Sequence, residues 1–223
     1  MATIAAALLI ALTGWLGNWQ TNRAEEKRAR QALFEARMAE TPLRLTGSVA
    51  SHEPLLYRRV EAHGRWMPGR QIFVDNRIAG GRAGFHVITP LRIEGGDAVL
   101  LVNRGWIART ADYPRPPPVA VPEGPASVTG IATRPPARFL ELSSQTVSGD
   151  VWQNLSIERI RERTGLDALP VVVLADTPGE GLAAVREAPD AGIAKHREYA
   201  LTWYLLALTT LVLWLALNVR KAR

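Results

Sequence analysis

The four histidines of this chain are candidate metal ligands or proton carriers, whereas the absence of cysteine excludes thiolate ligands. His52 lies in a turn of Ser, Glu and Pro residues. His63 and His86 lie in predicted strands, where a histidine is usually exposed or hydrogen-bonded. His196 differs, since the string KHREYALTWY places it a few residues before a long apolar segment. A membrane helix would meet water there, which makes His196 the candidate ligand.

The spacing around His196 allows two interpretations. In a helix that starts early, His196, Tyr199 and Trp203 fall at i, i+3 and i+7 on one face. Such an aromatic face could bind a flat apolar macrocycle, with axial ligation of its iron by the imidazole and with Lys195 and Arg197 near its propionates. Alternatively, these side chains only anchor the helix at the membrane interface. Spacing alone favours the anchor.

The motifs of common catalytic centres are missing from the sequence. It contains no GxSxG elbow, no GxxxxGK[ST] phosphate loop and no HExxH zinc motif. A membrane-anchored envelope hydrolase would need Asp75, Asp97 and Glu141 to converge. We therefore expect that the protein is not an enzyme.

The two ends of the chain are the elements that would position His196. The segment before Arg23 contains no ionisable side chain, and the segment between Ala200 and Val219 is also uncharged. A helix of about 20 residues rises about 30 Å and can cross the hydrocarbon core. A cleaved signal peptide is the alternative for the first segment, but no positive region precedes it and Trp15 and Trp19 suit an interfacial anchor. We predict transmembrane helices over residues 1–22 and 196–219.

The charge distribution predicts the orientation of these helices. Three residues of the tail 220–223 are basic and supply half of the net charge of +6. Short basic segments stay in the cytoplasm, so both termini are expected inside and the middle outside. The basic residues that follow Arg23 argue the other way, although long loops translocate largely regardless of charge. The remaining charges nearly balance, which indicates no nucleic-acid surface.

Between the spans the sequence predicts a β-rich α+β extramembrane domain over residues 41–195. Residues 23–40 are strong helix formers and extend the first helix. After Ser156, a possible N-cap, a short helix is expected to end at Gly165. Proline-rich residues 114–125 form an extended connection, either a spacer or a partner-docking segment. Short apolar runs between Gly, Pro and Asn predict strands near 43–49, 57–66, 71–76, 84–93, 98–107, 126–132, 151–155 and 169–175.

Several strings in this order resemble the surfeit-locus-one family of cytochrome c oxidase assembly proteins. They are LGNWQTNR at Leu16–Arg23, VDNR at Val74–Arg77, GFHVITP at Gly84–Pro90, VNRGWI at Val102–Ile107 and HREYALTWY at His196–Tyr204. The resemblance covers essentially the whole chain. It implies an assembly factor for haem-copper cytochrome c oxidase, acting around haem a insertion into the large catalytic subunit, or on the stability of that subunit.

The resemblance also implies site residues by position. His196 becomes the candidate ligand of a transiently held haem a iron, and Trp19, Gln20, Tyr199 and Trp203 become candidate pocket or helix-contact residues. The expected partners are the large oxidase subunit, haem a synthase and membrane lipid. A scaffold that never binds haem is the alternative.

The resemblance and the N-terminal sequence together predict the compartment. Mitochondrial relatives are longer in the loop that is short here between Ile78 and Ala83, and no Arg-rich, Ser-rich transit segment precedes the first span. We therefore expect a bacterial inner membrane, with the central domain in the periplasm.

Overall fold

A computed structural model describes residues 2–47, 55–135, 147–186 and 192–219. His52, Glu141 and the basic tail lie outside these residues. The chain divides into two units, one formed by Met1–Glu35 with Ala188–Arg223 and the other by Ala36–Glu187. The elements in chain order are α1 (Ala2–Met38), β1 (Leu43–Leu45), β2 (Arg59–Trp66), β3 (Ile72–Ala79), β4 (Arg82–Ile93), β5 (Val99–Ala108), β6 (Pro125–Thr133), β7 (Val147–Ser148), β8 (Val151–Trp152), α2 (Ile157–Thr164), β9 (Ala168–Ala175) and α3 (Ile193–Val219).

The terminal helices α1 and α3 are long and apolar enough to cross a membrane. The most apolar 18-residue stretch of α1 has a mean hydropathy of 1.4, and 11% of its residues are buried. The corresponding stretch of α3 has a mean hydropathy of 1.9, and 6% of its residues are buried. A core helix of a soluble domain would be mostly buried. Both helices instead expose apolar side chains around most of their circumference, as a helix surrounded by lipid does.

The second unit is built on a nine-stranded sheet that closes on itself. The strand order is β1-β2-β6-β9-β5-β4-β3-β8-β7, and an additional pairing joins β2 to β4. That pairing places Gly64, Arg65 and Trp66 of β2 opposite Ile93, Arg92 and Leu91 of β4, and it turns β2, β6, β9, β5 and β4 into a ring. β1 pairs with the preceding residues on the same edge of β2. The predicted class, two apolar terminal helices that flank a β-rich α+β domain, is confirmed.

The interior of the ring is the main hydrophobic core. Because side chains alternate between the two faces of a strand, every second residue of β2 and β6 is buried while its neighbours are more exposed. The buried residues of this core are Leu45, Leu55, Val60, Ala62, Leu91, Ile93, Leu100, Val102, Val128, Ala132, Leu169, Val171 and Val173.

Helix α2 covers part of the outer face of the ring. The side chain of Ser156 accepts a hydrogen bond from the Arg159 backbone N–H at 3.4 Å, which caps the first turn. Gly165 ends the helix in the left-handed region at φ 68° and donates its N–H to the Arg161 carbonyl. Ile160 is fully buried in a second core that contains residues from β3, β4, β5, β8 and β9. The predicted helix and both of its predicted caps are confirmed.

The turn between β3 and β4 differs from the prediction. The predicted strands near 71–76 and 84–93 leave residues 77–83 as the connection between them. Instead β3 continues to Ala79 through a bulge, where Asn76 adopts φ 57° because asparagine tolerates the left-handed region. Gly80 and Gly81 alone connect β3 to β4 with φ values of 56° and 74°, which is the glycine-rich type of tight hairpin.

Arg104 is a buried cation at a second bulge, in β5. Its side chain is 4% exposed, and Nη1 donates to the Gln71 Oε1 atom at 3.2 Å and to the Ala120 carbonyl at 2.9 Å. The guanidinium also lies 5.4 Å from the ring centroid of Trp66. Burial lowers the pKa of Arg104 from its ordinary value. Arg104 therefore fastens the proline-rich connection, through Ala120, to the strands.

His86 lies on the opposite face of β4 from Phe85 and Val87, because successive side chains of a strand alternate between its two faces. It borders a cavity of about 40 Å³ that Arg77 and Asn103 also line. Burial, and to a smaller extent the charge of Arg77, lowers the pKa of His86 from 6.5 to about 4. The imidazole is therefore neutral in the folded protein at pH 7.

A substitution at Gly64 tests the closure of the ring. A Cβ atom at Gly64 would lie 2.0 Å from the Arg92 carbonyl oxygen, so Gly64→Ala must push β2 and β4 apart. We expect a loss of about 1–3 kcal/mol in the free energy of unfolding, as for other overpacked cores. Urea unfolding of the full chain in detergent measures it. Ser127→Ala, at an exposed position on β6, should stay within about 0.5 kcal/mol of the parent. Equal stability of parent and Gly64→Ala would contradict the closure.

The pH dependence of stability tests the environment of His86. Its pKa is lower in the folded protein than in the unfolded chain, so its contribution is complete above about pH 6.5 and is lost as the pH falls towards 4. His86→Gln should therefore remove about 2–3 kcal/mol of the decline in unfolding free energy across that interval, at roughly 1.4 kcal/mol per pKa unit. Urea titrations at several pH values measure this. An unchanged slope in the variant would show that His86 titrates normally.

Candidate functional site

The candidate site lies in the unit formed by α1 and α3, which pack against each other in antiparallel directions. Near the start of α1 and the end of α3, the Trp214 indole N–H donates to the Thr3 hydroxyl at 3.3 Å. Near the other end, Arg197 lies 4.0 Å from the Glu25 carboxylate. The buried residues of α1 recur at steps of four and seven, as on the face of a helix that packs against another helix. They are Thr13, Gly17 and Ala24, and Ala200 is buried on α3.

A close approach between Gly17 and Tyr204 sets the distance between the two helices. The phenol ring lies directly on Gly17, since a Cβ atom there would be 2.6 Å from the Tyr204 Cε1 atom. One turn further along α1, the hydroxyl groups of Thr21 and Tyr204 are 3.3 Å apart. Glycine at an interface between membrane helices allows this kind of close backbone approach.

One turn beyond Gly17 on α1, the side chain of Gln20 is hydrogen-bonded to the imidazole of His196 on α3. The His196 Nδ1 atom lies 2.7 Å from the Gln20 Oε1 atom, and both side chains are half-buried. The Nε2 atom of His196 makes no hydrogen bond to any residue within the described ranges. One ring nitrogen is therefore engaged between the helices, and the other is free to accept an external partner.

The other predicted site residues are not all beside His196. Trp203 is half-buried on the face of α3 that carries His196 and Ala200, whereas Tyr199 is 51% exposed. Trp19 is 50% exposed and follows Gly17 by two residues, which turns it about 200° around the axis of α1. It therefore points away from α3. The structure brings Gln20 to His196 and leaves Trp19 on the opposite face of α1.

The described residues contain no cluster of three or more His, Asp or Glu side chains that could hold a metal ion by themselves. A resident metal site made of protein ligands alone is thus missing from the part of the chain that the structure describes. His196 can supply one ligand, and a macrocycle that brings its own four nitrogen ligands needs only such an axial donor. Lys195 and Arg197 are exposed one residue to either side.

Comparison with known proteins gives the family. A model of the SURF1 family matches residues 7–208. The chain belongs to the SURF1 family. Among its relatives, Surfeit locus protein 1 of Takifugu rubripes is 26% identical, and the alignment covers 97% of this chain and 96% of the relative. Surfeit locus protein 1 of Mus musculus is 25% identical, over 96% of this chain and 75% of the relative. A SURF1-like protein of Rickettsia conorii is 25% identical, over 89% and 83%.

In this SURF1 family member Asp75 and Asp97, the two carboxylates of the hydrolase alternative that the structure describes, do not form a pair. Asp75 accepts hydrogen bonds from Arg109 at 2.7 Å and from the Tyr113 hydroxyl at 3.1 Å. Asp97 is fully exposed in the turn after β4. Asp75 lies at the level of His86 on β4, whereas Asp97 follows Ile93 at the end of that strand. Seven residues separate His86 from Ile93, which is roughly 23 Å at about 3.3 Å per residue. Asp75 is part of a structural ion pair.

Sequence reasoning missed the Asp75–Arg109–Tyr113 cluster and the anchoring role of Arg104. A charged residue inside the apolar string LLVNRGW is a signal for a buried, hydrogen-bonded cation such as Arg104. The partners of Asp75 gave no local signal, because Arg109 and Tyr113 lie 34 and 38 residues away along the chain. Burial and the hydrogen bond to Asp75 raise the pKa of Tyr113.

A pair of glycine substitutions in α1 tests the helix contact. Gly17→Val should weaken the α1–α3 packing by about 1–3 kcal/mol, because the new side chain would overlap the ring of Tyr204. Gly14→Val is the matched control on the same helix, since a Cβ atom at Gly14 has no neighbour within 4 Å. Both variants are compared with the parent by SDS-induced unfolding of detergent-purified protein. Equal midpoints for the two variants would argue against the contact.

Proposed function

We propose that this chain is an assembly factor for haem-copper cytochrome c oxidase, which assists haem a insertion into the large catalytic subunit or stabilises that subunit. Family membership and the two apolar helices support the proposal. The observation that carries the haem-specific part is the position of His196 at one end of α3, where Nδ1 is bonded to Gln20 and Nε2 has no hydrogen-bond partner among the described residues. Chaperoning of this kind requires no catalytic residue.

The residues around His196 fit an axial haem contact. Haem a would supply an iron atom that accepts a lone pair, and the Nε2 atom of His196 would provide it. Trp203, half-buried on the same face of α3, offers an aromatic surface to a flat macrocycle. The exposed cations of Lys195 and Arg197 would pair with propionate groups where the helix meets water. Tyr199 would contribute at the exposed edge of this site.

A single axial histidine suits transfer better than a closed site with two protein ligands. Delivery would require that the receiving subunit can compete for haem a, and a site in which His196 is the one protein ligand would hold it more weakly than a site with two. Exposure of the neighbouring Tyr199 indicates a site that is open at the side. His196 would hold haem a only until a stronger site takes it.

The proposed topology follows from the charges at the ends of the chain. In this topology α1 and α3 both cross a bacterial inner membrane, so the protein is multi-pass. The domain formed by the nine-stranded sheet lies on the periplasmic side. The SURF1-like relatives from Rickettsia species support a bacterial setting. The large oxidase subunit is the main partner, with haem a synthase as the source of haem a and lipid around both helices.

A scaffold that never binds haem is the second candidate function. The specific observation in its favour is the Gln20–His196 hydrogen bond itself, which would also serve as an ordinary polar contact between two membrane helices. In that case His196 would hold the two helices together, and the protein would stabilise an apo form of the oxidase subunit through protein contacts alone.

The visible spectrum of the purified protein separates these two functions. The full chain is coexpressed with haem a synthesis and purified in detergent, in parallel with His196→Ala and with His63→Ala as a control for loss of a histidine on β2. We expect a haem a band in the parent and in His63→Ala, and at least a tenfold weaker band in His196→Ala, because the axial ligand is lost.

The other outcomes have defined meanings. If the parent carries no haem a, the scaffold function replaces the haem-handling one. If His196→Ala retains the full band, haem is bound elsewhere and His196 is not its ligand. The same variants can be expressed in cells that lack the endogenous gene product, where rescue of oxidase activity reports on assembly independently of haem content.

A further inference from the structure

The hydrogen bond between Gln20 and His196 fixes which nitrogen of the imidazole carries the proton. A neutral imidazole has one N–H donor and one lone-pair nitrogen. The carbonyl oxygen Oε1 of Gln20 can only accept, and it lies 2.7 Å from Nδ1. A hydrogen bond between these two atoms requires the proton on Nδ1, and the lone pair of the neutral ring is then on Nε2.

We infer that Gln20 is a positioning residue that holds His196 in the Nδ1–H tautomer and directs the Nε2 lone pair away from α1. Gln20 acts through His196 and does not itself contact an iron atom. This inference deepens the proposed function. Its statement about haem binding rests on that proposed function, whereas its statement about the tautomer concerns the apo protein alone.

The surroundings keep the amide and the imidazole together. Gly17, one turn before Gln20, is pressed against the Tyr204 ring, and Thr21, the next residue, is bonded to the Tyr204 hydroxyl. These contacts flank Gln20 on α1 and hold that part of the helix close to α3. In a low-dielectric environment an amide without a partner is costly, so the bond to His196 is retained.

The chemistry of the acceptor matters for an axial ligand. Histidines that bind metals usually donate their second N–H to a carbonyl or carboxylate group, which fixes the ring and raises the basicity of the ligating nitrogen. An amide oxygen carries no net charge, so it orients the ring and polarises it less than a carboxylate would. Glutamine at position 20 therefore suits a ligand that must bind iron and then release it.

The first test reads the tautomer of His196 without any haem. The apo full chain is labelled with nitrogen-15 histidine and purified in detergent, and the His196 signals are identified by their loss in His196→Ala. In the parent we expect a protonated Nδ1 and an unprotonated Nε2. Gln20→Glu keeps an acceptor oxygen and should preserve this pattern, whereas Gln20→Leu should abolish it.

Asn18→Leu is the matched control for the loss of an amide from α1. Asn18 is exposed two residues before Gln20, so its replacement should leave the His196 tautomer unchanged. A proton on Nε2 in the parent would overturn the inference, because the amide of Gln20 would then donate to Nδ1. An Nδ1–H tautomer that persists in Gln20→Leu would overturn it as well.

The second test measures haem a affinity by titration of the parent, Gln20→Leu, Gln20→Glu and Asn18→Leu in detergent. Loss of a hydrogen-bonding partner of a metal-bound histidine typically costs about 10–100-fold in affinity, and we expect this for Gln20→Leu. Gln20→Glu should bind at least as tightly as the parent, and Asn18→Leu should bind equally.

The two tests fail in distinguishable ways. If the tautomer is as inferred but Gln20→Leu binds haem a as tightly as the parent, the positioning role is wrong. If no protein in the set, including the parent, binds haem a, the haem-specific part of the proposed function is wrong and the tautomer assignment remains.

Discussion

The contact of α1 with α3 depends on one constraint, that polar side chains in an apolar environment need partners inside the protein. The Gln20 amide and the His196 imidazole satisfy each other across the two helices, and the hydroxyls of Thr21 and Tyr204 lie within hydrogen-bonding distance of each other. These pairs require the two backbones to be close, which the missing side chain of Gly17 permits. The packing of the helices and the availability of one imidazole nitrogen are thus consequences of the same local arrangement.

The sheet domain solves a different problem, the burial of an apolar core with short strands. Closing five strands into a ring removes most exposed edges and encloses the core on all sides. One bulge, at Asp75 and Asn76, bends β3 where it pairs with the ring strand β4. The other, at Arg104, lies within the ring, where β5 pairs with β4. The charges of both residues are satisfied internally, by Arg109 in the first case and by carbonyl oxygens in the second.

Local patterns predicted the elements, and non-local contacts decided the rest. The caps at Ser156 and Gly165 depend on a few neighbouring residues, so helix α2 could be assigned with its ends. The predicted strand ended at residue 76, whereas β3 continues through the bulge at Asn76 to the glycine pair. The string VDN alone does not determine this, because the bulge depends on the register against β4. The apolar terminal helices were equally evident from composition. The pairing of Gln20 with His196 was not, since 176 residues separate them and only the family motifs place both near one site.

The ring of strands is held at unequal strength around its circumference. β4 and β5 pair over nine residue positions, whereas β2 and β4 pair over three and share that edge of β2 with the three-residue strand β1. Amide hydrogens at Gly64–Trp66 are therefore expected to exchange with solvent through local opening that costs less free energy than opening in the middle of β5. The pairing of β2 with β4 is therefore the weakest part of the ring, and partial unfolding of this domain would start with the separation of β1 and β4 from β2.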